Sequence, residues 1–175
     1  MIERCITALI LLAPAFVAGQ TSDTPGCVDE PVYGMLDFWV GEWDVFVEDK
    51  LVGHNRIAKV LDDCAVIEDW KAAGGGTGKS LFFVDNTGRW KQVWVTQWAM
   101  APGGVKEKLM IGGAPADGVR FQGQLQHPDA GEWLDRTTLT RLEGGDVRQL
   151  IEVSQDNGAT WQTAFDAVYR RVEGS

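Results

Sequence analysis

Residues 36–45, LDFWVGEWDV, contain a Gly-x-Trp triplet, Gly41-Glu42-Trp43, at the start of a long series of short segments. Polar and apolar residues alternate along these segments, which is typical of β-strands with one buried face. Turn residues separate the segments about every 8 to 12 positions, and no linker interrupts the series. The sequence therefore predicts an all-β fold, a single up-and-down antiparallel β-barrel of about ten strands. Such a barrel either fills its interior with side chains or encloses a ligand cavity.

Turn sequences fix where the predicted strands end. Asp117-Gly118 and Asp156-Asn157-Gly158, for example, can adopt the positive φ angles that tight hairpins require. At most one short helix is expected, at about residues 31–38. The predicted strands are 42–48, 54–61, 65–72, 79–84, 89–97, 105–111, 119–126, 132–142, 147–154 and 160–171.

The first 19 residues have the composition of an export signal, in which the charged residues Glu3 and Arg4 precede an apolar run at residues 6–17. We predict a signal peptide at 1–19, a polar lead-in at 20–35 and the barrel domain at 36–175. The expected location is the periplasm or the extracellular space. No later segment is long and apolar enough to predict a membrane span.

The chain has 16 basic and 25 acidic residues, which gives a formal net charge of −9. Binding to phosphate backbones or to anionic membranes requires clustered lysine and arginine, so we expect no nucleic-acid partner. The sequence makes no prediction about the oligomeric state.

Two cysteines, Cys27 and Cys64, remain beyond the predicted signal peptide. Cysteines can pair in an oxidising compartment, so we predict a disulfide between them. It would close a loop of roughly 40 residues and stabilise the fold by about 2 to 4 kcal/mol. The alternative is two unrelated buried thiols.

Tryptophan is abundant, with eight residues in the chain. Strand periodicity places one group of side chains on the inward face of the strand predicted at 89–97: Trp90, Gln92, Trp94, Thr96 and Trp98. Aromatic walls with a few polar anchors are typical of small-molecule pockets. The alternative is that the tryptophans fill the core. The predicted ligand-binding residues are Trp43, Glu68, Trp70, Gln92, Trp94, Thr96 and Trp98.

The sequence gives little support for metal binding, phosphate binding or acid–base catalysis. The two histidines, His54 and His127, are far apart and show no metal-ligand spacing, so neither a metal nor a cofactor is expected. Residues 74–80, GGGTGKS, precede a predicted strand and therefore favour a hairpin tip over a phosphate-binding loop. Catalytic residues are not assigned. Acid–base chemistry would depend on carboxylates, and most candidates are expected to be solvated or ion-paired: Glu68, Asp135, Glu152 and Asp166.

The stretch SQDNGATW, residues 154–161, matches the Asp-box pattern S-x-D-x-G-x-T-W. In that pattern an aspartate accepts hydrogen bonds across a hairpin while the tryptophan packs beneath it. A structural role is expected, because aspartate side chains stabilise turns locally.

Five motifs together resemble the exported bacterial family DUF1579, and the resemblance covers residues 36–171: LDFWVGEWDV, GKS, WKQVWV, SQDNGATW and FDAVYRR. Members resemble calycins, the group of lipocalin-, fatty-acid-binding- and nitrobindin-like barrels. The resemblance implies that Trp43 packs at the base of the barrel. It does not imply histidine-ligated haem, because Tyr169 and no histidine lies in the final strand. Many relatives carry an acidic residue where this chain has Thr96.

Three functions fit the sequence. The first is an exported protein that binds a small apolar or aromatic molecule inside the barrel. The second is a cofactor-independent isomerase, cyclase or hydrolase with Glu68 or Glu152 as base. The third is a protein-interaction module, which would have a filled core and an exposed apolar patch.

Overall fold

A computed structural model of the protein describes residues 26–127 and 131–172. Ten antiparallel strands form a closed barrel in which each strand pairs with its neighbours in the chain and the last pairs with the first. This confirms the predicted fold class. The predicted signal peptide lies outside the described residues. The strands are β1 (Gly41–Val47), β2 (Lys50–Val60), β3 (Ala65–Ala72), β4 (Thr77–Val84), β5 (Trp90–Thr96), β6 (Val105–Ile111), β7 (Gly118–His127), β8 (Gly131–Arg141), β9 (Val147–Ser154) and β10 (Gln162–Arg171).

The prediction of at most one short helix is wrong, because the described residues contain four short 3₁₀ segments. Three lie in and just after the lead-in, at Cys27–Asp29, Pro31–Gly34 and Asp37–Trp39, and one lies at Glu143–Gly145. Pro31 occupies the first position of its segment, where its fixed φ angle suits a helical turn. Within the described residues, no helix has the length and hydrophobicity needed to cross a bilayer.

The predicted disulfide between Cys27 and Cys64 is confirmed. Cys27 lies in the first 3₁₀ segment, and Cys64 lies in the turn between β2 and β3. The bond therefore fixes the lead-in to one end of the barrel.

The lead-in and the short segment after it, residues 36–40, plug that end of the barrel, and aromatic side chains fill the space beneath them. Trp39 is fully buried, and its ring packs edge-on against Phe82 and Tyr169 at centroid distances of 5.5 and 6.1 Å. The indole N–H of Trp43 donates to the carbonyl of Trp39 at 2.9 Å. Trp90 donates from its indole N–H to the Val32 carbonyl at 2.8 Å. This half of the interior is consequently filled.

The Asp-box segment forms the turn between β9 and β10. Asp156 accepts hydrogen bonds from the backbone N–H of Thr160 at 2.8 Å and from the Ser154 hydroxyl at 2.7 Å. The indole of Trp161 donates to the Gly158 carbonyl at 3.1 Å. These bonds, those from Thr160 first, lower the pKa of Asp156 to about 2. The motif therefore stabilises a hairpin.

The glycine-rich segment forms a hairpin between β3 and β4. Residues 73–76 make the turn, and β4 begins at Thr77. Lys79, which would contact phosphate in a nucleotide site, faces outward and forms an ion pair with Asp69 on β3. The geometry is that of a hairpin tip, as the sequence predicts.

Candidate functional site

A cavity of about 270 Å³ opens in the half of the barrel away from the plug. Six of the ten strands contribute to its wall, β3, β5, β6, β8, β9 and β10. The lining residues are Glu68, Trp70, Gln92, Trp94, Lys106, Lys108, Thr137, Gln149, Ile151, Ala164, Phe165 and Tyr169.

Trp70 and Trp94 form the aromatic side of this cavity. Each ring lies directly against a glycine of the neighbouring strand, Trp70 on Gly53 of β2 and Trp94 on Gly78 of β4. A methyl group at either glycine would overlap the indole, so the rings can lie against the wall because those positions have no side chain. Phe165 packs nearly perpendicular to Trp70, with the centroids 6.5 Å apart.

Glu68 is the acidic group of the cavity, and only 4% of its surface is exposed. Its Oε1 accepts from Asn55 Nδ2 at 2.7 Å, and its Oε2 accepts from the Ser80 hydroxyl at 2.6 Å. Ser80 in turn accepts from Gln92 Nε2 at 3.1 Å. Both carboxyl oxygens are thus held by neighbouring side chains.

A second part of the network runs through Tyr169. Its hydroxyl donates to Gln149 Oε1 at 2.8 Å and accepts from Asn55 Nδ2 at 3.2 Å. Burial, followed by the negative charge of Glu68, raises the pKa of Tyr169 well above its ordinary value. The tyrosine is therefore a neutral hydroxyl at physiological pH.

Burial raises the pKa of Glu68 above its ordinary value. Hydrogen bonds from Ser80 and Asn55 and the positive charge of Lys108 act in the opposite direction, but they do not overcome the loss of solvation. Burial thus favours the protonated, neutral form of Glu68 more than it does for a solvated glutamate.

We expect Glu68→Gln to stabilise the protein at neutral pH. At neutral pH the folded state holds a proton on Glu68 more tightly than the unfolded chain does. The proton therefore makes its full contribution to the free energy of unfolding below pH 4.5, the pKa of the glutamate in the unfolded chain. That stability is lost as the pH rises through the pKa of the folded state. Each unit by which the pKa is raised corresponds to about 1.4 kcal/mol at neutral pH.

Urea unfolding of the wild type and of Glu68→Gln between pH 4 and pH 8 measures this effect. The variant should lose the decline in stability that the wild type shows above about pH 4.5, the ordinary carboxyl range. Parallel curves for the two proteins would show that the Glu68 carboxyl is solvated.

Gln92 offers the cavity an unused hydrogen-bond acceptor. Its Nε2 bonds to Ser80, whereas no donor within the described part of the chain reaches its buried Oε1. A buried oxygen without a partner costs about 1 to 3 kcal/mol. A donor from a bound molecule would remove this cost.

Two lysines form the basic side of the cavity. Lys106 and Lys108 are two residues apart on β6, so both side chains lie on its inner face. Asp135 of β8 pairs with both, with its Oδ1 2.5 Å from Lys108 Nζ and its Oδ2 2.6 Å from Lys106 Nζ. Lys108 Nζ also donates to the Thr137 hydroxyl at 2.6 Å. The result is a cluster of two cations and one anion, in which Lys108 and Asp135 are buried and Lys106 is partly exposed.

The pKa values of this cluster follow from burial and from the neighbouring charges. Lys108 is only 3% exposed, and burial lowers its pKa to about 8 although Asp135 opposes the shift. For Asp135, burial favours the neutral acid, but the charges of Lys108 and Lys106 outweigh it and hold its pKa below the usual value. Asp135 is therefore an anion at neutral pH.

The structure brings four of the predicted ligand-binding residues to the cavity and places three elsewhere. Glu68, Trp70, Gln92 and Trp94 line the cavity. Trp43 instead packs in the core with Trp39 and Tyr169, and the guanidinium of Arg171 lies over its ring at 4.3 Å.

The predicted inward position of Trp98 is wrong. Strand β5 ends at Thr96, whose hydroxyl accepts a hydrogen bond from the backbone N–H of Trp98 at 3.1 Å. This bond turns the chain, so Trp98 leaves the strand and is 57% exposed. Thr96 serves the turn and does not line the cavity.

Two of the candidate carboxylates are bound on the outer surface. Glu152 forms two hydrogen bonds with Arg136, at 2.7 and 3.0 Å, on the opposite face of β9 from Gln149. Asp166 forms the corresponding pair with Arg148. Glu152 is therefore remote from the cavity and unsuited to act as its base.

The histidines do not extend the site. His54 is exposed and bonds to Asp44, and the side chain of His127 lies outside the described residues. In the part of the chain that the structure describes, no three His, Cys, Asp or Glu side chains are grouped as a metal site would require.

The sequence matches no protein-family model and no curated protein, so the resemblance to DUF1579 rests on the motifs quoted above.

Proposed function

We propose that this protein is an exported binding protein that holds a small aromatic molecule inside the barrel. The observation that carries the proposal is the cavity itself, where the indoles of Trp70 and Trp94 adjoin the unpartnered amide oxygen of Gln92. An apolar wall with a few convergent polar groups is the usual composition of a small-molecule site.

The volume of the cavity limits the size of the ligand. At about 270 Å³ it falls just below the range of about 300 to 1,000 Å³ that is common for ligand pockets. A molecule with one or two rings suits this space. Aromatic ligands are favoured because indole rings make edge-on and offset contacts with other rings.

The cavity favours ligand binding over a purely structural interaction module, which would have a filled core. The disulfide between Cys27 and Cys64 supports export, because such bonds persist in oxidising compartments. The closed ten-stranded barrel supports the proposed placement among calycin-like proteins.

The test uses 2-naphthalenemethanol, a neutral two-ring probe, and isothermal titration calorimetry. Replacing Trp94 with alanine should weaken binding by about 1 to 3 kcal/mol, as expected for a lost buried aromatic contact. Lys91→Ala is the matched control, because Lys91 lies on the outer face of the same strand and pairs with Glu107. It should bind the probe as the wild type does.

Circular dichroism confirms that both variants are folded before the titration. No binding to the wild type, or equal binding by all three folded proteins, would refute a ligand site at Trp94.

Catalysis by the same cavity is the second candidate function. Glu68, whose pKa is raised, and Lys108, whose pKa is lowered to about 8, line the same cavity, and shifted pKa values of this kind are typical of groups that transfer protons. Nuclear magnetic resonance of a bound molecule in D₂O would distinguish the two functions. A binding protein returns the molecule unchanged, whereas an enzyme converts it or exchanges its protons, and Glu68→Gln abolishes that reaction.

A further inference from the structure

We propose that the cavity selects aromatic molecules that carry a carboxylate, with Lys106 and Lys108 binding the carboxylate and the tryptophans holding the ring. This inference rests on the proposed function and names the chemical class of its ligand. It depends on the arrangement of charges within the barrel.

The first observation is an imbalance of charge. Among the residues that the structure describes, the one carboxylate that pairs with Lys106 and Lys108 is that of Asp135, so the cluster has one positive charge more than it has negative. Buried charges are normally paired. An anionic group on a ligand would complete the pairing.

The second observation is the direction in which the cluster faces. Both lysines line the cavity, whereas Asp135 is not part of its lining. Each ammonium group has three donors. Among the described residues, Lys108 directs hydrogen bonds to Asp135 and Thr137 and Lys106 pairs with Asp135, which leaves donors from both lysines for a ligand.

The third observation concerns the other acid of the cavity, Glu68. Its two oxygens already accept hydrogen bonds from Asn55 and Ser80, and burial favours its neutral form. Glu68 is therefore a weak competitor for the lysines, and the cavity keeps its basic character when a ligand approaches.

The net charge of the whole chain, −9, cannot explain a preference for anions. A negative protein repels anionic ligands over long distances. Selection would have to come from short-range contacts inside the cavity, where the low dielectric strengthens an ion pair.

Three probes with the same ring system test this inference by calorimetry: 2-naphthoate, the neutral 2-naphthalenemethanol and the cationic 2-naphthylmethylammonium. At pH 7, naphthoate should bind about tenfold or more tightly than the alcohol, because hydrogen bonds to charged groups are the stronger ones. The ammonium probe should bind most weakly, since it meets two lysines.

Lys106→Met removes one positive charge from the cavity. Lys91→Met is its control, because Lys91→Met removes the same charge from the outer face of the neighbouring strand β5. Lys106→Met should weaken naphthoate binding by about tenfold and leave the binding of the alcohol within about twofold. Lys91→Met should change neither. If Lys106→Met fails to fold, Lys106→Gln serves the same purpose.

The preference should also depend on pH. The titratable groups that face Lys108 are Lys106 on its own strand, Asp135 on β8 and Glu68 on β3. Naphthoate binding should weaken as the pH rises through about 8, where Lys108 loses its proton, while the alcohol is affected little.

The outcomes separate this inference from the proposed function. Equal binding of the three probes, or a preference for naphthoate that survives Lys106→Met, would overturn the assignment of the carboxylate site and leave a general aromatic pocket. Failure of all three probes to bind the wild type would overturn the proposed function as well.

Discussion

Asp135→Asn is expected to lower the free energy of unfolding by about 3 to 5 kcal/mol, the usual cost of removing one partner from a buried ion pair. Asp135 is the anion that compensates both Lys106 and Lys108. An asparagine of the same size cannot neutralise either ammonium group, so the buried Lys108 and the partly buried Lys106 would lose the anion that they share.

Urea denaturation at pH 7 measures this loss, and Asp166→Asn is the matched control. Asp166 also pairs with a basic side chain, Arg148, but that pair is nearly half exposed. Exposed pairs contribute about 1 kcal/mol or less. Equal losses for the two variants would show that the cluster around Asp135 is solvated.

A double substitution extends the test to the origin of the loss. Asp135→Leu with Lys108→Met removes the buried pair and keeps apolar bulk in its place. Such replacements are often neutral or stabilising by about 1 to 4 kcal/mol. The double variant should therefore be more stable than Asp135→Asn.

Trp39→Ala is expected to destabilise the fold by about 3 to 5 kcal/mol, as is typical of deleting a buried aromatic side chain. Trp39 is fully buried and packs against Phe82 and Tyr169 from different strands. Its loss would leave a hole in the plug that closes the barrel.

Trp98→Ala is the control, because the same deletion at an exposed position should change stability by about 0.5 kcal/mol or less. Thermal and urea unfolding of both variants give the comparison. Similar stabilities for the two would mean that Trp39 does not seal this end of the barrel.

The sequence predicted the barrel well because strand alternation and turn residues are local signals. Strands β3, β6 and β9 begin and end where the sequence placed them. Strand β2 begins four residues earlier than predicted, at Lys50, because the chain turns already at Glu48 and Asp49, which have positive φ angles. Positive φ in non-glycine residues is hard to predict from sequence.

The sequence could not predict which tryptophans fill the closed end of the barrel and which line the cavity, because this depends on the end of the barrel at which each one lies. Trp90 and Trp94 share a face of β5, yet Trp90 belongs to the plug and Trp94 to the cavity. The contact that separates them comes from Val32 in the lead-in, which is remote in sequence. Strand periodicity predicts whether a side chain points into or out of the barrel, but not how far along the barrel axis it lies.

The sequence did not predict that Lys106 and Lys108 line the cavity, and the reason is a different one. Along β6, alternation puts Lys106 and Lys108 on one face and Val105 and Leu109 on the other. Hydrophobicity alone would turn the apolar face inward, whereas the lysines are the inner residues. Asp135, which compensates them, is far away in the sequence, so only the three-dimensional structure reveals the pairing.

The position of a bound molecule is the most direct test of an internal binding site. Crystals grown with 6-bromo-2-naphthalenemethanol, at about ten times its dissociation constant in solution, would locate the bromine by anomalous scattering. We expect one peak inside the barrel, in contact with Trp70, Trp94 or Phe165. A peak only on the outer surface, for instance beside the exposed Trp98, with water in the cavity, would contradict the proposal that this barrel is a container for small aromatic molecules.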